Sequence, residues 1–217
     1  KAGCTGMNMR PSRVLRKMRE GKVATCVKLN LTDQRCVEIA AMSGIDCVWV
    51  DMEHVPNDIS FVENAVRTAK AYDCDLLTRV SRGGYSDYIR PLEADSTGIM
   101  VPHLMSVKDA DYVRYYTKFY PIGRRPIDGG NQDGAYCLVD GKDYLEQANR
   151  ERFVIVQIED PEPLAELDEI CAMPGLDMIF FGPADFSQGA GMPMDFSNPY
   201  IDETRRLIAK TARKHGK

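Results

Sequence analysis

Two short stretches in the C-terminal third of the chain end apolar runs on carboxylates. Phe153-Val154-Ile155-Val156 leads into Gln157-Ile158-Glu159, and Met178-Ile179-Phe180-Phe181 leads into Gly182-Pro183-Ala184-Asp185. A carboxylate leaving an apolar strand needs water, a partner or a cation, because burying it unpaired is costly. At the ends of neighbouring parallel strands, Glu159 and Asp185 would face one another across a gap that suits a hard divalent cation. Further polar groups stand at corresponding places. Asp51, Glu53 and His54 follow Val48-Trp49-Val50, Arg79 closes Leu76-Leu77-Thr78, and His103 follows Val101-Pro102. His54, directly after two acids and a Trp-containing strand, suits proton transfer. Arg79 ends an apolar run and must direct its charge at an anion or a carboxylate. His103 reads equally well as pocket lining or as packing. The turn Gly182-Pro183-Ala184 can present backbone N–H groups to an anion. One acid at a strand end is commonly a helix cap or a surface ion pair, but a recurrence at several strand ends points to an active site.

The elements that must position these groups follow from the apolar periodicity. Apolar, β-rich runs recur roughly every 25 residues, the alternation expected of βαβ units around a parallel sheet. Residues 22–29, 46–50, 75–80 and 98–102 read as the first four strands. A weaker fifth is expected over 119–126, then 153–158 and 177–181. Between them, helices are expected over 32–43, 59–71, 85–94, 106–118, 141–149 and 161–172, with a last one over 201–214. In 161–172, Pro161 suits a first turn, Leu164, Leu167, Ile170 and Cys171 make one apolar face, and Pro174-Gly175 ends the helix. A short helix from Ser12 to Gly21 should pack against the strands. Segment 127–140, rich in Gly and Asp, reads as a long loop and a candidate lid.

Eight such units close a (β/α)8 TIM barrel, with catalytic groups where strands end and loops begin. Only seven strands are expected here, and an open seven-stranded sheet would expose two edges. The chain therefore reads as a single barrel domain over 1–217 that continues beyond both ends, its eighth strand and last helix lying outside it.

Bulk properties narrow the function classes. A chain of 217 residues with 44% hydrophobic content can bury a large core. Its net charge of −4, with signs interspersed, leaves no electrostatic footprint for nucleic acid. It has neither a membrane-spanning apolar run nor a secretory layout at its start. Seven cysteines without a C-x-x-C pair argue against structural zinc and a disulfide framework, and fit a cytoplasmic protein.

The ordered motifs V-D-M-E-H (50–54), T-R-V (78–80), G-I-M-V-P (98–102), Y-P-I-G-R-R (120–125), Q-I-E-D (157–160) and P-G-L-D-M-I-F-F-G-P-A-D-F-S (174–187) resemble the HpcH/HpaI aldolases, metal-dependent class II pyruvate aldolases. The resemblance runs from about residue 12 to the end. It implies reversible aldol cleavage of a 4-hydroxy-2-oxo acid to pyruvate and an aldehyde. It further implies Glu159 and Asp185 as ligands of Mg2+ or Mn2+, with Co2+ or Zn2+ as further candidates. Arg79 would contact the keto oxygen of pyruvate, the amides of Ala184 and Asp185 its carboxylate, and Gln157 the same pocket. His54 would transfer protons, with Asp51 close by. A homo-oligomer, commonly a hexamer, with sites near subunit boundaries is also implied, and no nucleic-acid or membrane partner. The chain departs from the family at Leu92-Glu93-Ala94-Asp95-Ser96, where L-D-A-G-A is usual. The family aspartate at that place pairs with the catalytic histidine across a subunit boundary. Glu93 is one methylene longer, and Asp95 adds a charge where the family has glycine.

Three rival readings have distinct signatures. A Schiff-base aldolase needs a desolvated lysine at a strand end, and Lys28 is the candidate. A CoA-thioester lyase of the citrate or malyl-CoA type would need further C-terminal structure. A non-catalytic barrel would tolerate the changes at Glu93 and Asp95 but gives no reason for the intact set of site residues.

Overall fold

The computed structural model of the protein describes residues 6–217. Its strands are β1 (Cys26–Leu29), β2 (Cys47–Asp51), β3 (Asp75–Arg79), β4 (Gly98–Val101), β5 (Phe153–Ile158) and β6 (Met178–Phe181). They pair in parallel and in chain order, each with its sequence neighbour. The helices are α1 (Arg13–Arg19), α2 (Gln34–Met42), α3 (Ile59–Lys70), α4 (Tyr85–Glu93), α5 (Val107–Thr117), α6 (Gly141–Glu151), α7 (Leu167–Ala172), α8 (Pro183–Gly189) and α9 (Pro199–Lys214), with a 3-10 turn, Glu162–Glu166, leading into α7. Their starts are written locally. Ser12, Asp33, Asp58, Ser106, Asp140 and Asn198 each accept a hydrogen bond from a backbone N–H of the first helical turn.

Strand geometry sorts the side chains into two sets, because successive residues point to opposite faces. One set, including Val48, Val50, Leu76, Ile99, Val154, Val156 and Ile158, packs against the helices. The other, Cys47, Leu77, Met100, Phe153 and Ile155 with Trp49, Met178 and Phe180, fills the concave side. Both faces are covered, so β3 and β5 are buried along their whole length. The sheet is strongly curled: Trp49 of β2 meets Phe180 of β6 edge-to-face, ring centroids 5.6 Å apart, across the concavity. This is a partial barrel of six parallel strands, open between β1 and β6 among the described residues.

The end where strands start is closed by α1. Asp75, at the first position of β3, accepts the Ser12 hydroxyl at 2.6 Å and the amides of Arg13 and Val14 at 3.0 and 2.9 Å. Val14 then packs into the concave set. The opposite end, where strands finish, is left free for polar side chains.

The structure corrects three expectations. Residues 119–126 form no strand, and β4 pairs directly with β5, Gly98 opposite Phe153. Pro121, Gly123 and Pro126 deny that segment a ladder. Phe119 and Arg125 instead plug a turn, the guanidinium lying 4.8 Å from the ring centroid. Six strands therefore replace the seven expected. Segment 127–140 is not a lid over the strand ends. It is a run of turns folded against the strand-start end, where Gln132 donates to the carbonyl of Ala94 at 2.6 Å and the Asp133 amide to that of Glu93 at 3.3 Å. Buried Asp133 anchors it through Arg125 and the Tyr144 hydroxyl, each at 2.7 Å. The helix expected over 161–172 begins as the 3-10 turn before continuing as α7.

Candidate active site

The alternation that sorts the core also sorts the polar residues. Lys28, Asp51, Arg79 and Gln157 have the same facing as Trp49 and Ile155, so the strands deliver them to the finishing end of the concavity. Asp51 lies opposite Arg79 in the β2–β3 register. Arg79 gives two hydrogen bonds to the Asp51 carboxylate, Nε at 2.9 Å and Nη2 at 2.5 Å. Lys28 adds Nζ at 2.9 Å and the Glu53 amide donates at 3.0 Å. Burial favours the neutral form of Asp51, but Arg79 and Lys28 outweigh it and hold the carboxyl well below the usual range. The Arg79 guanidinium, 5% exposed, also lies 5.1 Å from the Trp49 ring centroid. Its Nη1 donates to no described residue.

A second group meets the first through Glu53. The Glu53 carboxylate is 3.1 Å from Arg79 Nε, 3.6 Å from His54 Nε2 and 3.7 Å from His103 Nε2. His103 follows β4 with φ +50°, a conformation that costs a residue with a β-carbon. The turn aims its amide at Glu159 Oε1, 2.8 Å away, and sets Nδ1 2.8 Å from Asp160 Oδ2. Glu159 leaves β5 with its side chain 2% exposed, touched on its other oxygen by Gln157 Nε2. Gly182, after β6, lets the backbone pass against both: a β-carbon there would sit 2.6 Å from Glu159 Oε2 and 2.9 Å from Gln157 Nε2. The chain then turns into α8, with Pro183 and Asp185 in its first turn.

Burial raises the Glu159 carboxyl, and the facing carboxylates of Glu53 and Asp185 add to the rise, against the His103 amide and ring. Among the described residues no lysine or arginine lies within ion-pair distance of Glu159 or Asp185. Ligand-capable atoms of His103, Glu159 and Asp185 lie within 4.8 Å of one another. A buried carboxylate facing two others, with no lysine or arginine beside it, fits a divalent cation. Oxygen and nitrogen donors suit Mg2+, Mn2+ or a later first-row ion.

The structure thus brings together Asp51, Arg79, Gln157, Glu159, Asp185 and His103, with His54 at the rim, its side chain 60% exposed. Ala184 stands with Asp185 at the start of α8. Beside His103 opens a cleft of about 260 Å3 lined by Arg82, Tyr88, Asp109 and Tyr112. Glu93 is not brought to this group within the chain. It closes α4 at the strand-start end, in a separate cleft with Glu63, Arg67 and Arg90. Asp95, next to it, has φ +70° and is buried, its carboxylate bound by Arg152 at 2.5 and 3.0 Å and by Lys70. A left-handed position explains why glycine suits this place, and aspartate tolerates it better than most residues. Three partners escaped sequence reading: Lys28 on Asp51, Glu53 on Arg79 and Asp160 on His103. The strand alternation would have found the first, since Lys28 lies two residues after Cys26 on the concave side.

Among known proteins, the family described as HpcH/HpaI aldolase/citrate lyase matches residues 26–217. A 2-keto-3-deoxy-L-rhamnonate aldolase of Klebsiella pneumoniae is 30% identical over 200 residues, 92% of this chain and 73% of that protein. The solved HpcH/HpaI aldolase of Desulfitobacterium hafniense superposes with a TM-score of 0.87 at 26% identity, over 94% of this chain and 78% of that one. The citrate synthase SbnG gives 0.85 at 28% identity, over 93% and 78%.

Proposed function

We propose, because the chain belongs to the HpcH/HpaI aldolase/citrate lyase family, that the site just described carries out aldol chemistry on a 2-oxo acid. The protein is a carbon–carbon lyase: it cleaves a 4-hydroxy-2-oxo acid to pyruvate and an aldehyde, reversibly. Glu159 and Asp185 would hold a divalent cation, Mg2+ or Mn2+ before Co2+ or Zn2+, and that cation when bound supplies Lewis-acid stabilisation of charge on the pyruvate half. Arg79 is the second source of positive charge. Asp51 and Lys28 fix the guanidinium, which leaves Nη1 as the donor for the keto oxygen as enolate charge develops there. The amides of Ala184 and Asp185 would orient the substrate carboxylate, and Gln157, tied to Glu159, would border the same pocket. His54 Nε2, beside Glu53, would accept the 4-hydroxyl proton as the C3–C4 bond breaks. The enolate would take up a proton from solvent at C3 to become pyruvate, and in the reverse direction His54 would give its proton to the new 4-hydroxyl. Such a proton transfer contributes typically about 10²–10⁴-fold. The cleft beside His103, with Arg82 and two tyrosines, would receive the aldehyde half.

The observation that carries this reading is the convergence of Glu159, Asp185 and Arg79 on one end of the sheet, linked through Glu53 and His103. Lys28 is an ion-paired ammonium on Asp51, which disfavours it as a Schiff-base nucleophile. We read the assembly as a homo-oligomer in which Glu93 acts on the site of a neighbouring copy. The test is a panel of aldehydes with pyruvate, with and without chelator. Aldol addition that stops with chelator and returns with Mn2+ or Mg2+ is expected. Turnover that survives chelation, or a borohydride-trapped pyruvate adduct on Lys28, would refute the metal-assisted route.

A further inference from the structure

His103 makes more use of the site than pocket lining requires. Its left-handed backbone, φ +50°, costs a residue with a β-carbon, and both hydrogen bonds made there reach the residues that follow β5. The amide donates to Glu159 Oε1 and Nδ1 faces Asp160 Oδ2, each at 2.8 Å. With Nδ1 engaged, the ring is fixed and Nε2 points back at the carboxylates, 3.8 Å from Glu159 Oε1 and 3.7 Å from Glu53 Oε1. Those distances are too long for hydrogen bonds, so Nε2 has no hydrogen-bond partner among the described residues. An imidazolium would be drawn toward Glu159 and Glu53 at these distances, and the same gaps leave room for a cation among the three groups. An imidazole bound on one nitrogen by a carboxylate and turned with the other toward acidic oxygens is the arrangement that presents a histidine to a metal. The common 4.8 Å span of His103, Glu159 and Asp185 atoms is small enough for one ion to reach all three.

We infer that His103 is a third protein ligand of the cation centre, giving Nε2 to the ion held by Glu159 and Asp185, with Asp160 as the outer carboxylate that sets the ring. This rests on the metal-assisted reading above. The chemical consequence is a centre of two carboxylates and one imidazole. Imidazole nitrogen favours Mn2+, Co2+ and Zn2+ over Mg2+ relative to an all-oxygen set.

The test uses the full chain loaded with Mn2+ alone, read by pulsed EPR and by titration. The native protein is expected to show a directly bound 14N, replaced by a 15N signal when histidine is isotopically labelled. His103→Ala should lose that signal and weaken Mn2+ binding by roughly 10–100-fold. Mg2+ binding should weaken less, so the preference for Mn2+ narrows. His54→Ala should keep the nitrogen signal, and Asp160→Asn should keep it with Mn2+ binding weakened about tenfold. His103→Gln, with circular dichroism of each metal-free variant, guards against loss of fold. The labelled native protein needs no variant at all. Absence of a bound nitrogen in native protein, or its survival in His103→Ala, would overturn the inference. If Glu159→Gln still abolished Mn2+ binding in that case, the two-carboxylate centre would stand without His103. Mn2+ binding unaffected by Glu159→Gln would remove both.

Discussion

Replacing Gly182 by alanine tests how tightly the backbone after β6 holds the acidic pair. Gly182 has φ −100°, a conformation open to any residue, so its missing side chain serves space rather than backbone freedom. An alanine β-carbon would lie 2.6 Å from Glu159 Oε2, 2.8 Å from Glu159 Cβ and 2.9 Å from Gln157 Nε2. Comfortable carbon contacts begin near 3.5 Å, so Glu159 and Gln157 would have to retreat by roughly 0.6–0.9 Å. Neither can swing into solvent, since both are buried. Overpacking of this kind costs about 1–3 kcal/mol. For a chain of this size, about 2 kcal/mol lowers Tm by roughly 4–8 °C. A displacement approaching 1 Å at a reacting centre costs on the order of 10²-fold in rate. Gly182→Ala is therefore expected to lose about a hundredfold in pyruvate release, followed through a coupled reductase, and to bind Mn2+ more weakly. Gly191→Ala is the control: φ is +76° and nothing lies within 4 Å of the added carbon. It should cost about 1–2 kcal/mol of backbone strain with no change in Mn2+ affinity. If Gly182→Ala turned over within threefold of native with unchanged Mn2+ binding, the close passage would not be what positions Glu159.

Asp51→Asn keeps the shape but removes the charge that fixes Arg79, and kcat/KM is expected to fall about a hundredfold as the guanidinium is misplaced; an unchanged value would detach Arg79 from Asp51. Asp95→Ala strands the buried Arg152 and should cost about 3–5 kcal/mol in urea unfolding, whereas Arg19→Ala, whose side chain is half exposed, should cost under about 1 kcal/mol; equal losses would mean that the Asp95 pair is not structural. Asp46 supplies a pH test away from the site. Burial opposes its ionisation, but Lys17 and Thr25 outweigh that and bring its carboxyl to about 2. Its folded value lies below the unfolded one, so its contribution is complete above about pH 4 and is lost as pH falls toward 2. Lys17 and Arg13 keep some contact with water, which leaves roughly 1–2 kcal/mol. The stability gap between native protein and Asp46→Asn should shrink from pH 6 to pH 3, and a gap constant with pH would refute the assignment.

The parallel alternation of strands and helices was readable because it is carried by local signals: apolar runs, caps such as Asp58 and Ser106, and Pro-Gly stops. The candidate site residues stood out for a related reason. Glu159, Arg79 and Asp51 end apolar strands, and a charge in such a place has few structural alternatives. Segment 119–126 misled because a short apolar run with aromatic residues resembles a strand until its prolines are set against a ladder it would have to join. Segment 127–140 was legible as a loop but not in its placement, which depends on Asp133 meeting Arg125 and Tyr144 in three dimensions. The Asp160–His103 contact and the positive φ of His103 also lie beyond local signals. They arise where β4 and β5 finish side by side, a fact of register rather than of composition.

The two-residue repeat of β5 has a practical consequence for anyone reshaping this enzyme. Deleting one residue between Phe153 and Val156 would rotate Gln157 and Glu159 outward against the helices and bring Ile158 into their place. A length change inside the strand would therefore empty the acidic pocket at a stroke. Libraries built on this scaffold should leave strand length alone.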